Sequence, residues 1–226
     1  MGKSNFRVRY IVDFETGGLK RSLKKDGLFT KDMEDKSEAD IFGVTEVAIV
    51  AIDLDNLSIK DTYTSLVKPI DGRLYTAEAL EVTGLTLKVL NEQGKSIHEV
   101  VSEMDEFFAK NNVKNKGSLG GHNFDGYDIH FLKKMYEDAK KRVDRYLNLD
   151  DTIDSLTWAK YKWTDSSDYK LGTCCANYGI DLVDAHRALP DTEANAQLII
   201  QFLRDLRNGD NTKENENKFR YSFKLD

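Results

Sequence analysis

Residues 8–16, VRYIVDFET, decide how the rest of the chain is read: a largely apolar run from Val8 to Phe14 that carries one carboxylate, Asp13, with a second, Glu15, directly after it. β-Branched and aromatic residues in so short a run read as a buried strand over 8–14. Side chains alternate along a strand, so Asp13 and Glu15 share one face and Phe14 points to the other. Two like charges a few ångströms apart repel, and one pKa rises unless a cation neutralises them. Magnesium or manganese, which prefer oxygen ligands, would fill that need. Taken alone, the pair also fits a strand end that reaches solvent.

Working outward, residues 44–54 and 57–68 read as two further strands, joined by a hairpin turn at Asp55-Asn56. Between the first strand and this hairpin, residues 20–43 form a charged stretch of six Lys/Arg and six Asp/Glu, interrupted by Leu28, Phe29, Ile41 and Phe42. It reads as a long, partly ordered surface insertion. Ser96 and Glu99 have capping-box spacing. Behind them Ile97, Val100, Val101, Met104, Phe107 and Phe108 make one apolar helical stripe. A short strand is expected at 117–121, then helices over about 126–141, 153–163 and 171–178, the last ended by Gly179. The final helix is expected to begin near Pro190 and run to about Arg207. Strands followed by helices mixed with strands suggest an α/β fold, a mixed sheet flanked by helices. Residues 1–207 read as one domain and 208–226 as a polar tail, expected to be mobile.

Composition narrows the setting. The chain has 226 residues, 40% hydrophobic and 32% charged, a soluble globular profile. No apolar run reaches the roughly 18 residues of a membrane span. The opening MGKSNFRVRY lacks the apolar core of a leader, and Phe6 breaks the myristoylation pattern. The two cysteines, Cys174 and Cys175, are adjacent, and no Cys/His set has zinc spacing, which points to a reducing, cytoplasmic home. A net charge of −6 gives no global attraction for nucleic acid. A site full of carboxylates can still take phosphates through metal ions.

Two more motifs carry chemistry. In Gly121-His122-Asn123-Phe124-Asp125-Gly126-Tyr127-Asp128, Asp128 falls in the first turn of a helix with Asp125 as its cap. A helix dipole alone also accounts for an Asp there. In His186-Arg187-Ala188-Leu189-Pro190-Asp191, five helical residues would rotate by about 140°. Pro190 instead starts the helix, leaving Asp191 in its first turn and His186 on a loop that folds its imidazole back over the carboxylate. A satisfied loop histidine is the other reading. Lys133, Lys134, Lys140, Lys141, Arg142 and Arg145 either track a phosphate backbone or form a solvated helix face.

Together these motifs resemble the DEDDh 3′→5′ exonucleases, the family of the proofreading epsilon subunit of bacterial replicases. Asp13-Phe14-Glu15-Thr16 is similar to its first motif, His122-Asn123 with Tyr127-Asp128 and Phe131-Leu132 to its second, and His186 with Asp191 to its third. Val82-Thr83-Gly84-Leu85-Thr86, Lys170-Leu171 and Tyr178-Gly179-Ile180 extend the likeness over about residues 8–205. The resemblance implies a ribonuclease-H-like fold, a five-stranded mixed sheet with helices around it. Asp13, Glu15, Asp128 and Asp191 would hold two divalent ions, Mg²⁺ or Mn²⁺. His186, whose type has an ordinary pKa of about 6.5, would be the general base. Phe14, Thr16, Gly17, Gly18, Leu19 and Asn123 would contact the substrate, the glycines by letting the backbone approach the terminal sugar.

The chain departs from the family pattern in the insertion at 20–43 and in Gly17-Gly18 where Thr-Gly is usual. The expected partner is a nucleic-acid 3′ end, DNA ahead of RNA, with a separate polymerase as a partner in proofreading and no membrane. A catalytically silent nucleic-acid-binding module would have lost carboxylates, and all five family residues are here. A phosphotransfer protein would show a G-x-x-x-x-G-K-[ST] loop, which is missing.

Overall fold

The computed structural model describes residues 7–112, 116–182 and 186–209. The opening stretch forms β1 (Val8–Thr16). The insertion follows, with α1 (Lys20–Lys25), a single 3-10 turn at Lys31–Met33 and α2 (Glu38–Ile41). Then come β2 (Val44–Asp53), β3 (Ser58–Leu66), α3 (Ala77–Thr83), α4 (Leu87–Gln93), α5 (Ile97–Asn111) and β4 (Gly117–Gly121). The chain continues through α6 (Asp128–Asp138), β5 (Leu147–Asp154), α7 (Ser155–Lys162), α8 (Leu171–Ala176) and α9 (Ala188–Asn208). The five strands form one sheet in the order β3-β2-β1-β4-β5. β1 runs antiparallel to β2 and parallel to β4, so the sheet is mixed, and the ribonuclease-H-like expectation holds.

Alternation along β1 divides the core. Tyr10, Val12 and Phe14 face α5 and α6, where they bury with Val101, Met104, Phe108 and Phe131. Ile11 faces the other way and packs with Val50, Ile52 and the α9 residues Ala196, Ile199 and Ile200. Asp13 and Glu15 share the parity of Ile11, so they lie on the α9 side. The capping box at Ser96 and Glu99 is formed, and it starts the helix whose apolar stripe seals the first face. In the hairpin, the Asp53 carboxylate accepts from the main-chain N–H of Asp55 (2.8 Å) and Asn56 (3.2 Å), closing the turn before β3.

Four features differ from the sequence reading. β5 was not located, because LNLDDTID is a polar edge strand with little apolar alternation. The insertion is folded rather than partly ordered. Leu23, Ala39, Ile41 and Phe42 are buried, so its apolar residues anchor it instead of merely interrupting it. α6 starts at Asp128 with Tyr127 at the N-cap; Asp125 does not cap it, its N–H going to Asp154 (3.4 Å). α9 starts at Ala188, two residues before Pro190. Proline is tolerated there because first-turn N–H groups lack helical partners anyway. Residues 1–6 and the tail from residue 210 lie outside the described residues. Among the described residues, no helix is long and apolar enough to cross a membrane.

Candidate active site

Three elements converge at one end of the sheet. β1 brings Asp13 and Glu15, and the first turn of α9 brings Asp191. One carboxylate oxygen from each lies within 4.8 Å of the others. Asp128, the first residue of α6, approaches from the opposite side, where its Oδ1 accepts the Phe14 N–H at 3.2 Å. It is almost fully buried, at 3% exposure.

The electrostatics follow from this crowding. Burial pushes the Asp13 pKa well above its ordinary value, and the charges of Asp128, Glu15, Asp191 and Glu46 push it further. Glu15 is raised to about 7, first by burial and then by Asp191 and Glu46. Burial also raises Asp128, against the lowering effect of the Phe14 N–H. Asp191 is raised by burial while the His186 main-chain N–H holds it down. That N–H donates to Asp191 Oδ2 at 3.1 Å. The other oxygen, Oδ1, is buried and has no hydrogen-bond partner. A buried carboxylate oxygen without a donor, set among like charges, is costly unless a cation meets it. An all-oxygen donor set suits a hard divalent ion. The residues therefore fit a divalent metal, with Asp13, Glu15 and Asp191 as its closest group.

The sequence reading missed Glu46. This β2 residue sits directly across from Glu15 in the register. Its carboxylate accepts from Arg187 Nε and Nη2, both at 2.9 Å, and from the Ala188 N–H at 3.2 Å. It thus clamps the start of α9 beside Glu15. A glutamate inside the otherwise apolar run VTEVAIVAI was the available signal.

His186 is placed differently from the expectation. Its main chain, in the left-handed region at φ 71°, meets Asp191, whereas its side chain is exposed and lines a cavity. The cavity holds about 340 Å³ and is also lined by Glu15, Phe14, Thr16, Gly18 and Leu19. Thr16 Oγ1 shares a 2.8 Å hydrogen bond with the Tyr127 hydroxyl, which tilts against Phe131. Gly17 is not a lining residue. Its missing side chain admits the main chain of residues 74–75, since a Cβ would meet Leu74 O at 2.1 Å. Asn123 is exposed, has φ 64° and lies outside the lining. Its N–H binds Asp154 Oδ1 at 2.9 Å. His122 is structural: Nε2 donates to Tyr169 O (2.8 Å), Nδ1 meets Ser155 Oγ (2.9 Å), and burial lowers its pKa.

Carboxylates gathered at one end of the central strand of a five-stranded mixed sheet, beside a cavity lined by His186, suit a nuclease of ribonuclease-H-like fold. The model of the Exonuclease family matches residues 10–199. DNA polymerase III PolC-type of Bacillus subtilis is 25% identical over 82% of this chain, and that of Clostridium perfringens 29% over 87%. The chain spans only 12% and 11% of the length of those two relatives. Among solved structures, the nuclease domain of 3′hExo, a DEDDh family member bound to rAMP, shares the fold with a TM-score of 0.66. The identity there is 18%, covering 92% of this chain and 96% of that one. Escherichia coli Exonuclease I in complex with a dT13 oligonucleotide gives 0.68 at 17% identity, covering 95% and 46%. The chain belongs to the Exonuclease family.

Proposed function

We propose that this chain releases single nucleotides from DNA 3′ ends in the cytoplasm, in partnership with a polymerase. Asp13, Glu15, Asp128 and Asp191 would hold two divalent ions, Mg²⁺ or Mn²⁺, and His186 would act as general base. The observation that carries the reading is the unpartnered, buried Asp191 Oδ1 within the Asp13–Glu15–Asp191 group, next to the cavity that His186 lines. When bound, such ions polarise a phosphodiester and acidify a water.

The chain's own residues do the rest. Phe14 and Leu19 give the terminal base an apolar wall, and Thr16 and Gly18 offer polar and main-chain contacts to the sugar. Asn123, outside the cavity lining, is assigned to the strand's approach. The exposed His186 imidazole takes the proton of the attacking water at a ring nitrogen. The Asp191 contact to its main chain fixes where that ring stands. The preference for DNA is supported by the PolC-type relatives, which are DNA polymerases by name.

The test is to digest 5′-labelled DNA and RNA oligonucleotides, single- and double-stranded, with Mg²⁺. The expected product is a DNA ladder shortening one nucleotide at a time from the 3′ end, absent with Asp13→Ala. Shortening from the 5′ end, a faster RNA ladder, or normal turnover by a folded Asp13→Ala protein would each overturn the corresponding part.

A further inference from the structure

We propose that α1, led by Arg21, holds the phosphodiester backbone of the strand whose 3′ end enters the cavity. The inference rests on the exonuclease reading and adds a substrate-binding element to it. At the acidic site Arg187 is committed to Glu46 at 2.9 Å, and the whole chain carries −6, so an incoming polyanion meets net negative charge. Arg21 is the one Lys or Arg among the described residues lining the cavity, and Ser22 lines it beside Arg21. The other charged lining groups, Glu15 and Glu78, repel phosphate.

α1 reads KRSLKK, four basic residues and no acid in six positions. Arg21, Lys24 and Lys25 stand three and four apart, so they share one face, while Leu23 buries the opposite one. Several cations elsewhere are committed to carboxylates. Lys134 lies near Asp40, Glu137 and Asp138, Lys141 bonds Asp105, and Arg142 bonds Asp144. Three of the six residues of that second basic cluster are thus paired within the protein. The Arg21 guanidinium makes no ion pair or side-chain hydrogen bond with the described residues.

The helix is also held in place. The Lys20 N–H binds the Glu38 carboxylate at 2.9 Å. Lys20 Nζ reaches the carbonyls of Glu34 and Lys36, and the N–H groups of Leu28 and Phe29 close on Leu23 O. A preset cationic face binds a strand without first being ordered. The insertion thus supplies what the carboxylate site lacks.

The experiment compares wild type, Arg21→Ala and Arg21→Lys on a 12-nucleotide single strand, as DNA and as RNA, and on the p-nitrophenyl ester of thymidine 5′-monophosphate, which has no upstream strand. KM on the 12-mer should rise roughly tenfold or more in Arg21→Ala, the worth of one charge-assisted contact, with kcat kept. That loss should exceed the loss on the ester by a similar factor, and Arg21→Lys should recover part of it. The slope of log kcat/KM against log salt should become shallower by about 0.7, one phosphate's share on a single strand. Equal losses on both substrates, or an unchanged 12-mer KM and salt slope, would overturn the proposal while wild-type turnover upheld the exonuclease reading. A wild type that cleaves neither substrate would overturn both. Equal effects on DNA and RNA would fit backbone contact; an effect on one alone would replace it with sugar recognition.

Discussion

At the scale of single residues, Asp13 feels four other carboxylates, those of Asp128, Glu15, Asp191 and Glu46. Without metal this crowding has a thermodynamic sign. The Glu15 pKa is about 7 in the folded chain against 4.5 for an ordinary glutamate. Between those values the folded state holds a proton that the unfolded state has lost, so stability falls as pH rises through that window. Melting in EDTA between pH 4.5 and 7 should show a declining Tm, with a flatter decline in Glu15→Gln. A Tm that climbs across the window, or an identical slope in the variant, would contradict this. His186→Ala should lower kcat by roughly 10²–10⁴, the usual worth of a general base, without loss of fold. An unchanged rate and pH profile would remove His186 from the chemistry. Glu46 and Arg187 show what the sequence did not make legible. Their contact joins residues 141 positions apart, and only β1–β2 register brings it beside Glu15.

At the scale of elements, legibility followed hydrophobic contrast. β1 could be read because its apolar run is dense, and α5 because its capping box and stripe agree. β5 carries Asn148, Asp150 and Asp151 on a sheet edge, where solvent rather than a second layer meets the side chains, so no period marked it. The insertion was misread for a related reason: a few apolar anchors outweigh many surface charges in deciding order. Gly17 joins β1 to the insertion and to the segment before α3. Its N–H donates to Gly43 O at 2.7 Å and its carbonyl accepts from Thr76 N–H at 2.6 Å. Gly17→Ala should cost about 1–3 kcal/mol, because a Cβ there would strike the Leu74 carbonyl. Denaturant midpoints would check this; an unchanged midpoint would show that the close approach is relaxed in solution.

At the scale of the molecule, the three motifs lie far apart in sequence and meet only because the sheet order places β1 between β2 and β4, with α6 and α9 on its opposite faces. Residue type, spacing and the family resemblance singled out Asp13, Glu15 and Asp191, which the fold gathers, and set Asp128 and His186 beside them as candidates. What stayed hidden was orientation: that His186 touches Asp191 through its main chain, and that Asn123 and Gly17 lie outside the cavity lining. The free cysteines are buried and burial pushes their thiols up to about 11 and 12, which keeps them protonated at neutral pH. The most direct measurement is a calorimetric titration of the metal-free protein with Mn²⁺ at pH 7, in two buffers of different ionisation enthalpy. Saturable binding of two ions with net proton release, lost in Asp13→Asn, is the predicted result. No saturable binding, or the same isotherm in Asp13→Asn, would contradict it.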